Sequence, residues 1–336
     1  MNSKVEKDTA VISHRNTETL VDIKNLRVYF YTEEGVVKAV EDFNIKIMKG
    51  ETLGLIGESG SGKTVSSLSI IRLIPEPPAK ILSGKILFNG TDLLSLNSNQ
   101  IRKVRGKDIS MIFQDPMTSL NPLYTVKDQI AENLKVHQHM TPEEAEKEVT
   151  NIMRDVGIPD PEKRANDYPH QFSGGMRQRV MIAIALSCKP HLLIADEPTT
   201  ALDVTIQAQV LKLIETQKEK YNTSVLYITH NFSVVAQIAD RIAVMYAGYI
   251  VEEGTAVELF VNPMHPYTRD LLSSIPRVDK KIDKLEIIKG SIPNLINPPA
   301  GCRFHPRCKD VMDICKTKVP QRIEKEPGHY VQCHLY

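Results

Sequence analysis

One octapeptide constrains this chain more than any other feature. Gly57-Glu58-Ser59-Gly60-Ser61-Gly62-Lys63-Thr64 fits the pattern G-x-x-x-x-G-K-[ST]. It stands between the apolar run Thr52–Ile56 and a helical pattern that begins near Val65. A short, nearly continuous apolar run suits a strand buried on both faces, so the octapeptide links a central strand to a helix. Its glycines let the backbone curl until successive N–H groups point inward at phosphate oxygens. The N-terminal end of the following helix adds positive potential. Lys63 supplies a mobile charge for β- and γ-phosphates, and the Thr64 hydroxyl is a hard oxygen ligand for Mg²⁺. The order strand, loop, helix distinguishes such a cradle from a glycine-rich surface turn.

The rest of the chain supplies the elements this loop needs. Similar apolar runs occur at 109–113, 192–195, 225–229 and 242–246. Residues 205–218 place Ile206, Val210, Leu213 and Ile214 on one helical stripe. Upstream, 20–28 alternates as a strand does, and 36–47 is rich in β-branched residues. Strands alternating with helices predict an α/β fold around a mainly parallel sheet. Residues 124–170 carry no strand signal, and Thr141-Pro142-Glu143-Glu144 is a helix start, so this stretch reads as a helical insertion. The predicted organisation is a polar tail over 1–19, a main domain over 20–262 whose helical part covers about 115–175, and an extension over 263–336. That extension is Pro-rich, shows no clear core of its own and holds four of the five cysteines.

Composition narrows the function classes. The 336 residues carry 42 Lys and Arg against 41 Asp and Glu, a net charge of +1 that argues against a nucleic-acid partner. No stretch approaches the roughly 20 apolar residues of a membrane-crossing helix. The polar start lacks the apolar segment of a secretory signal, so the expected location is cytoplasmic.

A second cluster complements the first. His191-Leu192-Leu193-Ile194-Ala195-Asp196-Glu197-Pro198 is an apolar strand ending in two acids. In a parallel sheet ligands bind at the carboxyl ends of strands. Asp196 is therefore expected to face the same crevice as the octapeptide and hold Mg²⁺ through water, with Glu197 as general base for an attacking water.

Gln171-Phe172-Ser173-Gly174-Gly175-Met176-Arg177-Gln178-Arg179 precedes that acidic pair. It resembles the signature motif of the ATP-binding-cassette (ABC) ATPases. Phe113-Gln114-Asp115, Ala201-Leu202-Asp203 and Thr229-His230 resemble the Q-loop, D-loop and H-loop of that family, in the family's order. The longer segments Phe113–Pro122 and Asp196–Thr205 resemble the oligopeptide/dipeptide importer ATPases, as do His265-Pro266-Tyr267-Thr268 and Gly301–Cys308. The resemblance runs from about residue 20 to the end.

It implies a P-loop NTPase of the ABC type, with a RecA-like core, an antiparallel β subdomain, a helical subdomain and a Cys-rich C-terminal extension. It also implies an ATPase that powers uptake of oligopeptides or dipeptides from the cytoplasmic face of the membrane. Such a chain pairs head to tail with a second cassette, a distinct homologous chain or a copy of itself. It docks on two transmembrane permease subunits that an extracytoplasmic peptide-binding protein supplies. Related ATPases serve importers of nickel or another small solute, and a soluble ABC ATPase without a transporter is a further alternative.

The resemblance also assigns roles. Phe30 stacks on adenine, although between Tyr29 and Tyr31 it also reads as a core strand residue. Gly57, Ser59, Gly60, Ser61, Gly62, Lys63, Thr64 and Val65 cradle ATP, and Asp203 is a further nucleotide-site residue. Gln114 presents an amide oxygen to Mg²⁺ and water, joining Thr64 and Asp196 around the metal. His230 donates to the γ-phosphate and holds Glu197, so Glu197, His230, Gln114 and Lys63 form the catalytic set. Ser173, Gly174 and Gly175 cap the partner cassette's γ-phosphate. Phe172 and Met176 replace the commoner Leu and Gln of the signature, and Met176 is not assigned as a ligand.

The terminal thiols are spaced Cys302-x5-Cys308-x6-Cys315-x17-Cys333. In a chain without a secretory signal, four such thiols read as a metal site rather than disulfides. Thiolates select zinc or iron–sulfur, and the spacing lacks the C-x2-C pair of common zinc modules. Resemblance to the tail of peptide-importer ATPases implies a [4Fe-4S] cluster on these four residues, with zinc as runner-up and reduced thiols as the remaining alternative. Cys188 is expected to be a buried small residue in the apolar helix 180–188.

Overall fold

The structure, a computed structural model, describes residues 18–199, 203–274, 288 and 290–336. Residues 1–17 of the polar tail, Thr200, and Ala201 and Leu202 of the expected D-loop lie outside the described residues.

Two long strands open the fold, β1 (Thr19–Thr32) and β2 (Gly35–Met48), followed by β3 (Thr52–Ile56) and helix α1 (Lys63–Ile70). Next come β4 (Ala79–Phe88), β5 (Thr91–Asp92), α2 (Ser98–Val104) and β6 (Ile109–Ile112). The helical region holds α3 (Pro116–Ser119), α4 (Val126–Gln138), α5 (Pro142–Asp155), α6 (Pro161–Arg164) and α7 (Gly174–Leu186). The alternation then resumes with β7 (Leu192–Asp196), α8 (Val204–Tyr221), β8 (Ser224–Thr229), α9 (Phe232–Ile238) and β9 (Arg241–Tyr246). The C-terminal part contributes β10 (Tyr249–Thr255), α10 (Ala256–Val261), α11 (Pro266–Ser273), β11 (Ile323–Glu326) and β12 (His329–Val331).

These strands make two sheets. The first is antiparallel in the order β2-β1-β4-β5. The second has the order β11-β12-β10-β9-β3-β8-β7-β6, with its β9-β3-β8-β7-β6 part parallel throughout. This central sheet separates two cores. Leu53, Leu55, Leu192 and Ile194 face a core shared with the antiparallel sheet. Their strand neighbours Ile56, Leu193 and Ala195 face a core shared with the helices. Each strand is thus apolar on both faces, which is why β3 and β7 appear as unbroken apolar runs rather than alternating ones.

The helical insertion forms where its sequence pattern places it. Thr125 and Thr141 cap α4 and α5, the latter in a reciprocal capping box with Glu144. Val126, Ile130 and Leu134 of α4 and Ala145, Val149 and Met153 of α5 recur at helical spacing and are buried together. In α8 the buried residues are Val210, Leu211, Ile214 and Gln217, while Ile206 and Leu213 are only partly buried. The buried face is therefore rotated from the expected stripe.

Two expectations need correction. Helix α7 stops at Leu186, and Cys188 lies beyond it, half-buried, with its thiol on the Asn133 carbonyl at 3.6 Å. The C-terminal extension does have a core, which it shares with the main domain. Phe304 and Tyr267 are buried against Tyr246 of β9, with ring centroids 5.1 and 4.7 Å from it. The hairpin β11–β12 also lengthens the central sheet by pairing β12 with β10. That joint buries an ion pair, His329 Nε2 to Glu252 Oε1 at 2.9 Å, with both side chains fully inaccessible.

Candidate active site

The loop between β3 and α1 is shaped by close approaches that exclude side chains. A Cβ at Gly57 would meet the Met245 carbonyl oxygen at 2.2 Å. Gly62, with φ of +108°, has the Ala39 carbonyl oxygen 2.5 Å from where a Cβ would lie. Ser61 is fully buried, and its carbonyl accepts the Gly248 N–H at 2.8 Å. Ser59, Gly60 and Thr64 are exposed at the loop surface, and Val65 is half-buried. Helix α1 begins at Lys63 itself, so the loop ends on a helix N-terminus.

Lys63 is folded back into the loop, its Nζ donating to the carbonyls of Gly57 at 2.7 Å and Glu58 at 2.9 Å. Burial lowers its pKa, while the nearby carboxylates of Glu197, Asp196 and Glu58 raise it. Asp196, at the end of β7, is buried. Burial raises its pKa, and a hydrogen bond from the Thr64 hydroxyl acts the other way. The structure thus brings Thr64 and Asp196 to one point, from elements far apart in sequence. Hydroxyl and carboxylate oxygens are the hard donors that Mg²⁺ takes. A lysine among three carboxylates leaves the site short of positive charge for a polyanion, which fits a divalent cation there.

Glu197 follows directly. Its backbone has φ of +47°, a conformation rarely adopted by non-glycine residues, and its N–H donates to the Ile228 carbonyl at 2.9 Å. The carboxylate is held on both oxygens. Gln114 Nε2 donates to Oε2 at 3.0 Å, and His230 Nδ1 lies 3.1 Å from Oε1. Gln114 comes from just beyond β6 and His230 from the end of β8, the two strands flanking β7. With its amide nitrogen on Glu197, Gln114 keeps its amide oxygen for a cation. The parallel sheet therefore gathers Lys63, Thr64, Gln114, Asp196, Glu197 and His230 at its carboxyl edge.

Other expected residues lie elsewhere. Phe30 is partly buried on β1, paired with Val37 and packed on the antiparallel-sheet core. Ser173 caps α7, its Oγ accepting the Met176 N–H at 3.4 Å. Ser173 and Gly174 are exposed, and nothing lies within 4 Å of a Cβ at Gly174. Phe172 beside them is buried, with the Arg164 guanidinium 5.7 Å from its ring centre. Gly175 packs against Ile206 of α8. Asp203 caps α8, Oδ1 accepting the Ile206 N–H at 2.9 Å.

The terminal cysteines are free thiols in one neighbourhood. Cys302 is pushed up to about 11, first by burial and further by Cys333, Cys315 and Cys308. Cys308 is likewise pushed up to about 11. Backbone N–H groups of Phe304, Asp310 and Leu335 act the other way, lowering the thiols of Cys302, Cys308 and Cys333 respectively. Among the described residues, however, no three His, Cys, Asp or Glu side chains are gathered tightly enough to hold a metal ion. The iron–sulfur and zinc expectations therefore find no formed metal site here.

Sequence reasoning missed Glu58, Tyr267 and Arg307 as neighbours of the site. Glu58 N–H donates to Tyr267 Oη at 3.0 Å, and Arg307 Nη1 lies 3.0 Å from Glu58 Oε1. The His-Pro-Tyr-Thr segment was legible as a motif, but its contact with the loop was not.

Residues 40–200 match the family described as ABC transporter, and residues 251–315 match the family described as oligopeptide/dipeptide transporter, C-terminal region. The chain is 51% identical to the oligopeptide transport ATP-binding protein AppD of Bacillus subtilis, over 95% of this chain and 97% of that one. It is 51% identical to the dipeptide transport ATP-binding protein DppD of the same organism, over 95% of each. Identity to the oligopeptide transport ATP-binding protein OppD of Escherichia coli is 45%, over 98% of this chain and 97% of that one. Among solved structures it resembles the ATP-binding cassette MJ0796 in a dimeric post-hydrolysis state bound to ADP and Pi. The TM-score is 0.63 at 28% identity, covering 70% of this chain and 98% of that one. The cbiO1 protein of Clostridium perfringens, part of a cbiONQ transporter complex, gives 0.61 at 26% identity, covering 73% of this chain and 92% of that one.

Proposed function

The chain belongs to the ABC transporter ATP-binding proteins, in the branch of the oligopeptide and dipeptide importers, and from that premise we infer how its site drives peptide uptake. It is the ATP-hydrolysing subunit of a peptide importer. The observation that carries the mechanism is the Glu197 carboxylate, held on both oxygens beside the phosphate loop.

In this reading the loop N–H groups and Lys63 hold the β- and γ-phosphates, and Lys63 leaves the Gly57 and Glu58 carbonyls to do so. Thr64, Asp196 and Gln114 would hold Mg²⁺, which neutralises phosphate charge when bound. Glu197 accepts a proton from the attacking water. Gln114 and His230 fix the direction in which its carboxylate points, and His230 also reaches the γ-phosphate. Phe30 stacks on the base, and Asp203 lies at the nucleotide-facing end of α8. The exposed Ser173 and Gly174, with the half-buried Gly175, at a helix N-terminus, cap the γ-phosphate bound by a second cassette. That partner is a distinct homologous chain, and the helical region 115–175 docks on two transmembrane permease subunits.

No helix among the described residues is long and apolar enough to cross a membrane. The proposed location is peripheral, on the cytoplasmic face, with an extracytoplasmic peptide-binding protein delivering cargo. Cells whose copy carries Lys63→Ala should stop accumulating a labelled peptide while retaining the assembled complex. Undiminished uptake would remove the chain from the power stroke.

We also propose that Cys302, Cys308, Cys315 and Cys333 hold a [4Fe-4S] cluster, zinc being the competing occupant. Cys315 and Cys333 lie close enough to Cys302 and Cys308 to raise the pKa of each, which supports this, and Cys₄ is the ligand set such a cluster takes. Protein purified without oxygen should absorb at roughly 400 nm and contain iron. Colourless protein with stoichiometric zinc would favour the competitor, and colourless protein without metal would reject both.

A further inference from the structure

The C-terminal extension reaches the phosphate loop at Glu58. Glu58 is held at three points. Its N–H donates to Tyr267 Oη at 3.0 Å, its carbonyl accepts Lys63 Nζ at 2.9 Å, and its carboxylate lies 3.0 and 3.2 Å from Arg307 Nη1. Two of the three holders belong to the C-terminal part, Tyr267 on α11 and Arg307 in the turn between Cys302 and Cys308.

Both holders are themselves fixed. Tyr267 is fully buried, with the Phe304 ring 5.3 Å away. The Arg307 side chain is 6% exposed. It also donates to Tyr246 Oη at 3.3 Å and the Gly290 carbonyl at 3.4 Å, with its guanidinium 5.6 Å from the Tyr246 ring centre. The turn that carries it is tied down by Cys302 N–H to the Cys315 carbonyl at 2.9 Å and by Arg303 Nη1 to the Ala247 carbonyl at 2.6 Å.

We propose that this arrangement is a latch through which the C-terminal region sets the affinity of the phosphate loop for nucleoside triphosphate, with Arg307 as the positioning residue. A bare carboxylate in a loop that receives a polyanion repels it. Arg307 cancels that charge and holds the carboxylate to one side. Tyr267 orients the Gly57–Glu58 peptide so that the Gly57 carbonyl, on the far side of the same plane, faces Lys63, parking Nζ at the loop until phosphate displaces it. The inference rests on the loop being the ATP site, and it gives the His-Pro-Tyr segment and the Cys302–Cys308 turn a task at that site.

The test uses the full chain and compares ATP, ADP and AMP binding at fixed Mg²⁺ by titration calorimetry. Arg307→Gln should weaken ATP on the order of tenfold or more, since one partner of a largely buried charge pair is removed. The loss should shrink from ATP to ADP to AMP as phosphate charge is removed. Adding Glu58→Gln to that variant should restore most of the ATP affinity. Tyr267→Phe, which keeps the ring and loses the hydroxyl, should weaken ATP a few-fold.

Wild-type protein that binds no ATP would refute the reading of the site rather than the latch. Wild-type-like ATP binding by Arg307→Gln would overturn the latch. So would a double variant as weak as the single one, because Arg307 would then act only through packing. Should Arg307→Gln fail to fold, Glu58→Gln alone decides. It should bind ATP at least as tightly as wild type, with the gain growing at low salt, and weaker binding would overturn the proposal.

Discussion

The chemistry converges on Glu197, and the residue is defined as much by its backbone as by its carboxylate. Its φ of +47° turns the side chain off the end of β7, at a cost of about 1–3 kcal/mol that the surrounding contacts must offset. Gln114 and His230 then fix one oxygen each. Gln114→Ala and His230→Ala should each lower kcat by about two orders of magnitude with a small change in ATP affinity, checked by steady-state hydrolysis beside equilibrium binding. Lys63→Ala should instead weaken ATP binding itself by at least about tenfold, read by the same titration. The residues at this edge were legible because each sits in a contiguous motif whose chemistry does not depend on distant partners. Arg307 was not, because its partner Glu58 lies 249 positions away and nothing local marks the pair.

At the scale of elements, β3, β7, β8 and β9 announce themselves as apolar runs, whereas β10 does not. Its sequence Tyr249–Thr255 contains Glu252 and Glu253, which are 1% and 2% exposed. A strand with two adjacent acids reads as a solvated loop unless their partners are known. Those partners are His329 for Glu252, and Arg241 and Arg322 for Glu253, all supplied by other strands or loops. The antiparallel strand β4 was equally hidden, since Ser83-Gly84 interrupts it where its register with β1 shifts.

Burial at the α11 cap gives a pH prediction. His265 Nδ1 accepts the Tyr267 N–H at 3.0 Å, and full burial of the ring pushes its pKa down to about 4. A histidine depressed on folding stabilises the protein above its unfolded pKa, near 6.5. That stability is lost as pH falls from there toward about 4. His329 shifts the other way, raised first by its bond to Glu252, so its contribution is complete below that unfolded pKa and is lost only at higher pH. His265→Asn keeps a capping acceptor and removes the titration. Its urea stability should fall less than that of wild type between those two pH values, the difference approaching an order of 3 kcal/mol. Parallel pH profiles would remove His265 as the source.

At the scale of the whole molecule, the central sheet lies between two cores, and helices start at Lys63 and at Gly174, the two places proposed to meet phosphate. The second is exposed, with open space beside Gly174, and is the one proposed to face a second cassette. Glu197→Gln removes the proposed base but leaves the phosphate loop unaltered, so with ATP and Mg²⁺ it should accumulate a closed cassette pair. Light scattering should then show a mass increase that ADP does not produce. ATP turnover of the full chain carrying Glu197→Gln decides whether Glu197 is the general base. ATP should bind with wild-type affinity and be hydrolysed about two to four orders of magnitude more slowly, whereas phosphate release at the wild-type rate would deny Glu197 that role.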